Sequence, residues 1–193
     1  MRGSRQEPAR RGRQPDRAGR RPPQSDLHRL SFTVQYGVAA ATLPSPSTLR
    51  RWVRAAQERD AAVLLRFVAT REASTLNATF RGKAYATNVL TFVYDDVVPL
   101  AGDLVLCAPV LRREAKMQGK TLADHCAHLV VHGMLHLQGY DHDSDRAARV
   151  METRESKILA GLGIRDPYAE PPAARKRRAL DDDGVPVAKS RCG

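Results

Sequence analysis

Residues 122–142 read LADHCAHLVVHGMLHLQGYDH, and a buried helix at the centre of the fold is written in them. Leu129, Val130, Val131, Met134 and Leu135 lie nearly all round a helix drawn from Leu122 to Leu137. A helix without a polar face belongs inside a domain rather than on its surface. Gly139 stands just past the last apolar residue, where a left-handed cap ends a helix and reverses the chain. Five of the six histidines of the protein, His125, His128, His132, His136 and His142, fall within this stretch. Buried imidazoles need polar partners, and a metal ion is one that several can share.

Residues four apart on a helix sit one above the other, so His132 and His136 present two nitrogens to a single ion. The reversal at Gly139 brings His142 back over that ion as a third ligand. His128 and His132 have the same spacing, but no cap and returning ligand follow them at the right distance. His125 and His128 therefore read as structural histidines. Three protein ligands leave a tetrahedral ion one open position, filled by water, which is a catalytic rather than a structural arrangement. Gly133, inside the helix, costs roughly 1 kcal/mol against alanine, which points to another backbone or a substrate passing close beside His132. It also stands where a zinc peptidase of the HExxH type would carry its glutamate base. Either the base comes from elsewhere, or the metal activates the attacking water itself, since zinc lowers the pKa of bound water to about 7.

Around this helix the chain alternates between two periods. Leu30, Phe32, Val34 and Tyr36 have the period of a strand with one buried face, and Ser45-Pro46-Ser47 opens a helix on which Leu49, Trp52, Val53 and Ala56 recur through Glu58. Ala61–Val68 reads as a buried strand, Arg71–Leu76 as a short helix or turn, Asn88–Val93 as a third strand and Leu104–Cys107 as a fourth. Pro109 opens a helix running to Lys116–Gly119. Asp143-Ser144-Asp145 caps a last helix with Ala148, Val150, Met151, Ile158 and Leu159 on its apolar side, ending near Gly161–Gly163. Strands and helices that interleave imply an α/β fold, here a small mixed four-stranded sheet packed with about five helices, the metal-binding helix at its centre.

The length of 193 residues and a hydrophobic fraction of 42% suit one domain with tails. Residues 1–27 are a basic tail expected to be disordered, residues 28–168 the folded domain, and residues 169–193 a flexible C-terminal tail. The formal charge of +11 is concentrated at the start, where residues 1–25 carry eight arginines against two acidic residues. Such tails add non-specific attraction to polyanions. Cys107, Cys126 and Cys192 are odd in number and lack CxxC spacing; neither a disulfide framework nor a cysteine metal site is expected, and Cys107 and Cys126 read as small buried residues. Without a long apolar run or a signal-like N-terminus, the expectation is a cytoplasmic protein with no membrane partner.

A second constellation lies at residues 76–90, LNATFRGKAYATNVL. Arg81 beside Gly82 offers a planar fork for two phosphate oxygens, and Lys83 a second point charge. A metal ion and an arginine together make the components of phosphate-ester hydrolysis. Asn88 and Asp141 are candidates for substrate contact or for supporting the ligands, although both types also serve as turn residues.

HGMLHLQGYDH at 132–142, FRGKAYATNVLTF at 80–92, GDLVLC at 102–107, EAKMQGK at 114–120 and DPY at 166–168 resemble the YbeY family of bacterial endoribonucleases, over roughly residues 28–168. The resemblance implies one zinc ion per chain on His132, His136 and His142, Arg81 as the active-site arginine, an α/β fold under the metal helix, and cleavage of single-stranded RNA. It further implies a role in 16S ribosomal RNA 3′-end maturation and ribosome quality control, at the small subunit, with a ribosomal protein and a GTPase as partners. Two departures stand out: Tyr85-Ala86 replaces the family's usual Lys-Pro, and Thr91 its usual serine. The loop is thereby less stiff and one charge poorer. The rival expectation is an assembly factor that binds RNA and protein around a mainly structural metal; a peptidase is disfavoured by Gly133.

Overall fold

The computed structural model describes residues 28–94 and 97–169. The tail expected at 1–27, and all of the one expected at 169–193 except Ala169, lie outside the described residues. Four strands, β1 (Leu30–Tyr36), β2 (Ala61–Val68), β3 (Val89–Tyr94) and β4 (Leu100–Cys107), alternate with five helices, α1 (Pro46–Ala56), α2 (Thr70–Arg81), α3 (Ala108–Met117), α4 (Leu122–Leu137) and α5 (Asp145–Gly161).

The sheet order is β1-β2-β4-β3. β1, β2 and β4 run parallel, and β3 is antiparallel to β4 at one edge. Parallel neighbours need long crossovers: α1 carries the chain from β1 to β2, and α2 with β3 carries it from β2 to β4. The period of two then sorts the side chains. Ala61, Val63, Leu65 and Phe67 of β2, with Leu104 and Leu106 of β4, join the main core with α1, α4 and α5, whereas Val68, Val105 and Cys107 join a smaller cluster with Ala73, Leu90 and Val110. Both faces of β4 are therefore covered, as the mixed-sheet α/β expectation requires.

Most boundaries fall within a residue or two of the sequence reading, and two differ by more. The segment read as a short helix or turn at 71–76 is the twelve-residue α2, which ends at Arg81 only because Gly82 adopts a left-handed φ of 68°. Its buried stripe is hard to see because one member is polar: Asn77 is 3% exposed and donates from Nδ2 to the Tyr85 carbonyl at 2.8 Å. β4 begins at Leu100 rather than Leu104, in register with the whole of β2. Gly102 hides that start. A Cβ there would lie 2.4 Å from both the Phe92 carbonyl oxygen and Leu137 Cδ2, so the glycine is what lets β3 and α4 close on β4.

Gly133 is also a place of close approach, but what approaches is side chain. A Cβ there would meet Leu104 Cδ2 at 2.7 Å and Thr91 Oγ1 at 3.3 Å, so the residue seats α4 on β4 and β3, where a backbone or substrate was expected. Val150, placed on the apolar side of the last helix, is 54% exposed; the buried residues of α5 are Met151, Glu155 and Leu159. Cys107 and Cys126 are buried free thiols, and burial pushes Cys126 up to about 12. Among the described residues, no helix is long and apolar enough to cross a membrane.

A candidate metal centre in a cleft

Thr121 caps α4 by accepting from the Asp124 amide at 3.0 Å, and the helix then runs without interruption to its last turn, which carries His136. His132 sits one turn earlier. The Nε2 atoms of the two rings are 3.1 Å apart. Two nitrogens bound to one tetrahedral zinc at about 2.0–2.1 Å are roughly 3.3 Å from each other. The pair thus already has nearly the separation that a shared ion imposes.

The reversal after α4 is held from a distance. Gly139 takes φ 90°, and the Tyr140 amide closes back on the Leu135 carbonyl at 3.1 Å. Gln138 donates to the Ala56 carbonyl at 2.9 Å and accepts from the Glu58 amide at 2.6 Å, tying the end of α4 to the end of α1. Glu58 also accepts from the Tyr140 hydroxyl at 3.1 Å and from Arg154 at 2.8 Å. Asp141 Oδ1 then accepts from the amides of His142 and Asp143, and this turn delivers the third imidazole. The His142 ring lies 5.0 Å from that of His136 and 5.8 Å from that of His132, centre to centre. One nitrogen from each of the three rings falls within 4.8 Å of the others. Asp141, His142 and Asp143 form a second, fully exposed grouping, in which the Asp141 oxygen already serves backbone amides.

The donor set suits a cation. Burial, and then the neighbouring charges of His132 and His142, hold His136 below its ordinary pKa, with the Tyr140 backbone and Asp141 pulling the other way. That direction favours the neutral ring, the form in which an imidazole binds a metal. His132 Nδ1 faces Glu155 Oε1 at 2.8 Å. Burial alone would raise the Glu155 carboxyl, but hydrogen bonds from His128, His132 and Tyr168 outweigh it and hold the group at about 2. A carboxylate only accepts, so Nδ1 of His132 carries the hydrogen and Nε2 keeps its lone pair for the cluster.

The remaining histidines find carboxylates instead. His125 is 2% exposed and bonds Glu114 Oε2 at 2.9 Å; His128 bonds Glu155 Oε2 at 3.0 Å. Neither belongs to the three-ring cluster.

The cluster forms one wall of a cleft of about 690 Å³. The rest of its lining includes Arg81 at the end of α2, Lys83, Tyr85 and Asn88 in the connection, and Thr91 and Val93 of β3. Arg81 donates from Nη2 to the Thr91 carbonyl at 3.2 Å, which tethers the exposed guanidinium to β3. Asn88 is more committed: Nδ2 donates to Glu114 at 3.0 Å and Oδ1 accepts from the Val89 amide at 2.7 Å, leaving one N–H for the cleft. Phe80 and Tyr85 are 61% and 57% exposed. Sequence reasoning passed over Glu155, although a signal was present: it lies midway between Met151 and Leu159, at four-residue spacing on the buried stripe of α5. A carboxylate on such a stripe must serve something inside.

The model of the family described as Endoribonuclease YbeY matches residues 45–163. An Endoribonuclease YbeY of Nitrosomonas europaea is 55% identical over 139 residues, covering 72% of this chain and 85% of that protein. One of Nitrosomonas eutropha is 54% identical over 137 residues, covering 71% and 97%. A solution structure of a Thermotoga maritima protein matches with 23% identity and a TM-score of 0.46, over 72% of this chain and 99% of that one.

Proposed function

The chain belongs to the YbeY family of endoribonucleases, and we propose that it cleaves single-stranded RNA at one zinc ion held by His132, His136 and His142. The observation that carries this reading is the cleft itself, where Arg81 lines the same cavity as the three imidazoles. Zinc, when bound, supplies a Lewis acid and acidifies the water it holds.

The protein's own groups account for the rest. Arg81 receives two oxygens of the scissile phosphate on its planar fork and neutralises the charge that grows there as the bond to phosphorus forms. Its tether to the Thr91 carbonyl uses one Nη2 hydrogen, leaving four donors for substrate. Lys83 attracts a neighbouring phosphate, and Asn88 offers its remaining N–H. Tyr85, exposed in the lining of the cleft, offers a ring face on which an unpaired base stacks in any sequence. A duplex hides those base faces, which favours single strands. With Tyr85 in place of the lysine of the family pattern, the loop offers a ring face where a charge would stand.

In the cell the reading extends to 16S ribosomal RNA 3′-end maturation and ribosome quality control in the cytoplasm, at the small subunit, with a ribosomal protein and a GTPase. The family resemblance supports that extension. The test is cleavage of a labelled single-stranded RNA, and of the same sequence as a duplex, by protein carrying one zinc per chain. Cleavage of the single strand that disappears on chelation and returns with zinc is expected; a cyclic phosphate on the product would identify the 2′-hydroxyl as nucleophile. Fully metallated protein that binds the RNA but leaves it intact would refute the reading in favour of an assembly factor with a structural metal.

A further inference from the structure

We propose that Glu155 is the positioning residue of the metal centre: it fixes the tautomer and ring orientation of His132, and Tyr168 seals it from water. This rests on the reading that His132 is a metal ligand.

The carboxylate is 0% exposed, on the buried stripe of α5. Oε1 takes His132 Nδ1 at 2.8 Å; Oε2 takes His128 Nε2 at 3.0 Å and the Tyr168 hydroxyl. An unpaired buried carboxylate is too costly to persist, and here donors reach both oxygens. The same bonds decide what the donors can be. His132 must carry its hydrogen on Nδ1, so the lone pair of Nε2 is aimed at the cluster. His128 must carry its hydrogen on Nε2, and its buried Nδ1 has no partner among the described residues. His128 is thus a prop for Glu155.

A second consequence is electrostatic. Three neutral imidazoles leave the full charge of a dication uncompensated. Glu155 places a negative charge one ring away, where burial keeps it unscreened. Asp141, also near the cluster, is exposed and serves backbone amides.

Tyr168 arrives from the segment after α5. Asp166 Oδ1 accepts from Ser156 Oγ at 2.9 Å and from the Tyr168 amide at 3.0 Å, and the turn so formed swings the phenol over the carboxylate. Its ring stands edge-on to His128, with centres 5.7 Å apart. The Asp166-Pro167-Tyr168 stretch thereby acquires a role that its position in the chain, far from the histidines, does not suggest.

Three full-length variants test this, with zinc affinity read by competition with a chromophoric chelator and the His132 tautomer by nitrogen-resolved imidazole NMR of the metal-free protein. Glu155→Gln keeps the size but offers an amide that no longer dictates which nitrogen is protonated. Its zinc dissociation constant should rise about 10- to 100-fold, and His132 should become a tautomer mixture. Tyr168→Phe should weaken zinc only several-fold and leave the tautomer unchanged. His132→Ala is the control. If it binds zinc as the wild type does, the ligand assignment is wrong and this inference falls with it. If it loses zinc while Glu155→Gln and Tyr168→Phe keep wild-type affinity and a single tautomer, only the role of Glu155 is overturned. Should Glu155→Gln fail to fold by circular dichroism, Tyr168→Phe decides alone: wild-type zinc affinity there overturns the proposal.

Discussion

On the α4 side of the cleft, each imidazole of the cluster is supported from behind. His132 has Glu155, His136 sits in the last turn of a helix tied to α1 through Gln138, and His142 rides on the turn made by Asp141. On the α2–β3 side, Arg81 makes one hydrogen bond among the described residues, to the Thr91 carbonyl, and Tyr85 stands more than half exposed. On the proposed function, the difference follows from what each wall would meet. Metal ligands must hold their geometry within tenths of an ångström, and hydrogen bonds behind them, buried at Glu155, partly buried at Gln138 and exposed at Asp141, keep them there. A flexible polymer is met by side chains that adjust, and their ordering is left to the binding event. Substitutions on the first wall should thus act through metal and fold, and those on the second through rate and affinity alone.

The largest expected effect is on the first wall. His136→Ala should bring zinc per chain from about one to background by elemental analysis, abolish cleavage, and lower the melting temperature, since metal binding is linked to folding. Retained zinc would break the comparison at its rigid end. Next comes Arg81→Ala, which should keep the metal and the melting temperature but lose about 10²- to 10³-fold in single-turnover rate, roughly 3 to 4 kcal/mol. Arg81→Lys should recover little, because an ammonium lacks the two parallel hydrogen bonds.

The boundary between the walls can be probed at Gly133, where α4 meets Leu104 and Thr91. Gly133→Ala gains helix propensity but overpacks this contact, and a net loss of about 1 to 2 kcal/mol in urea unfolding is expected. Cleavage should slow as the walls part, with zinc affinity nearly unchanged. A more stable variant would mean that Leu104 yields and that the walls are coupled loosely. The smallest effect belongs to Tyr85→Ala, which should weaken single-stranded RNA binding by about 1 kcal/mol, roughly 5-fold, while Tyr85→Phe binds like the wild type. Equal losses in both variants would implicate the hydroxyl and remove the stacking role.

Much of the architecture was legible because it is periodic. The alternation of β1, the apolar run of β2 and the caps at Ser45 and Ser144 are local patterns, read within a few residues. Where a polar or small residue interrupts the pattern, the reading stopped short: at Asn77, whose partner is the Tyr85 carbonyl, and at Gly102, whose neighbours are Phe92 and Leu137.

The same division runs through the site. The sequence alone determined that His132 and His136 share a helix face, that the chain reverses at Gly139, and that Arg81 ends beside a glycine, because helix period and glycine's freedom at positive φ are properties of the local chain. Tertiary structure alone decided which histidines lean on carboxylates, that Glu155 stands behind His132 and under Tyr168, and that residues 56–58 hold the end of α4. Those contacts join residues up to 82 positions apart, and no local periodicity records them; they exist because packing the helices on the sheet buries polar groups that must then find one another.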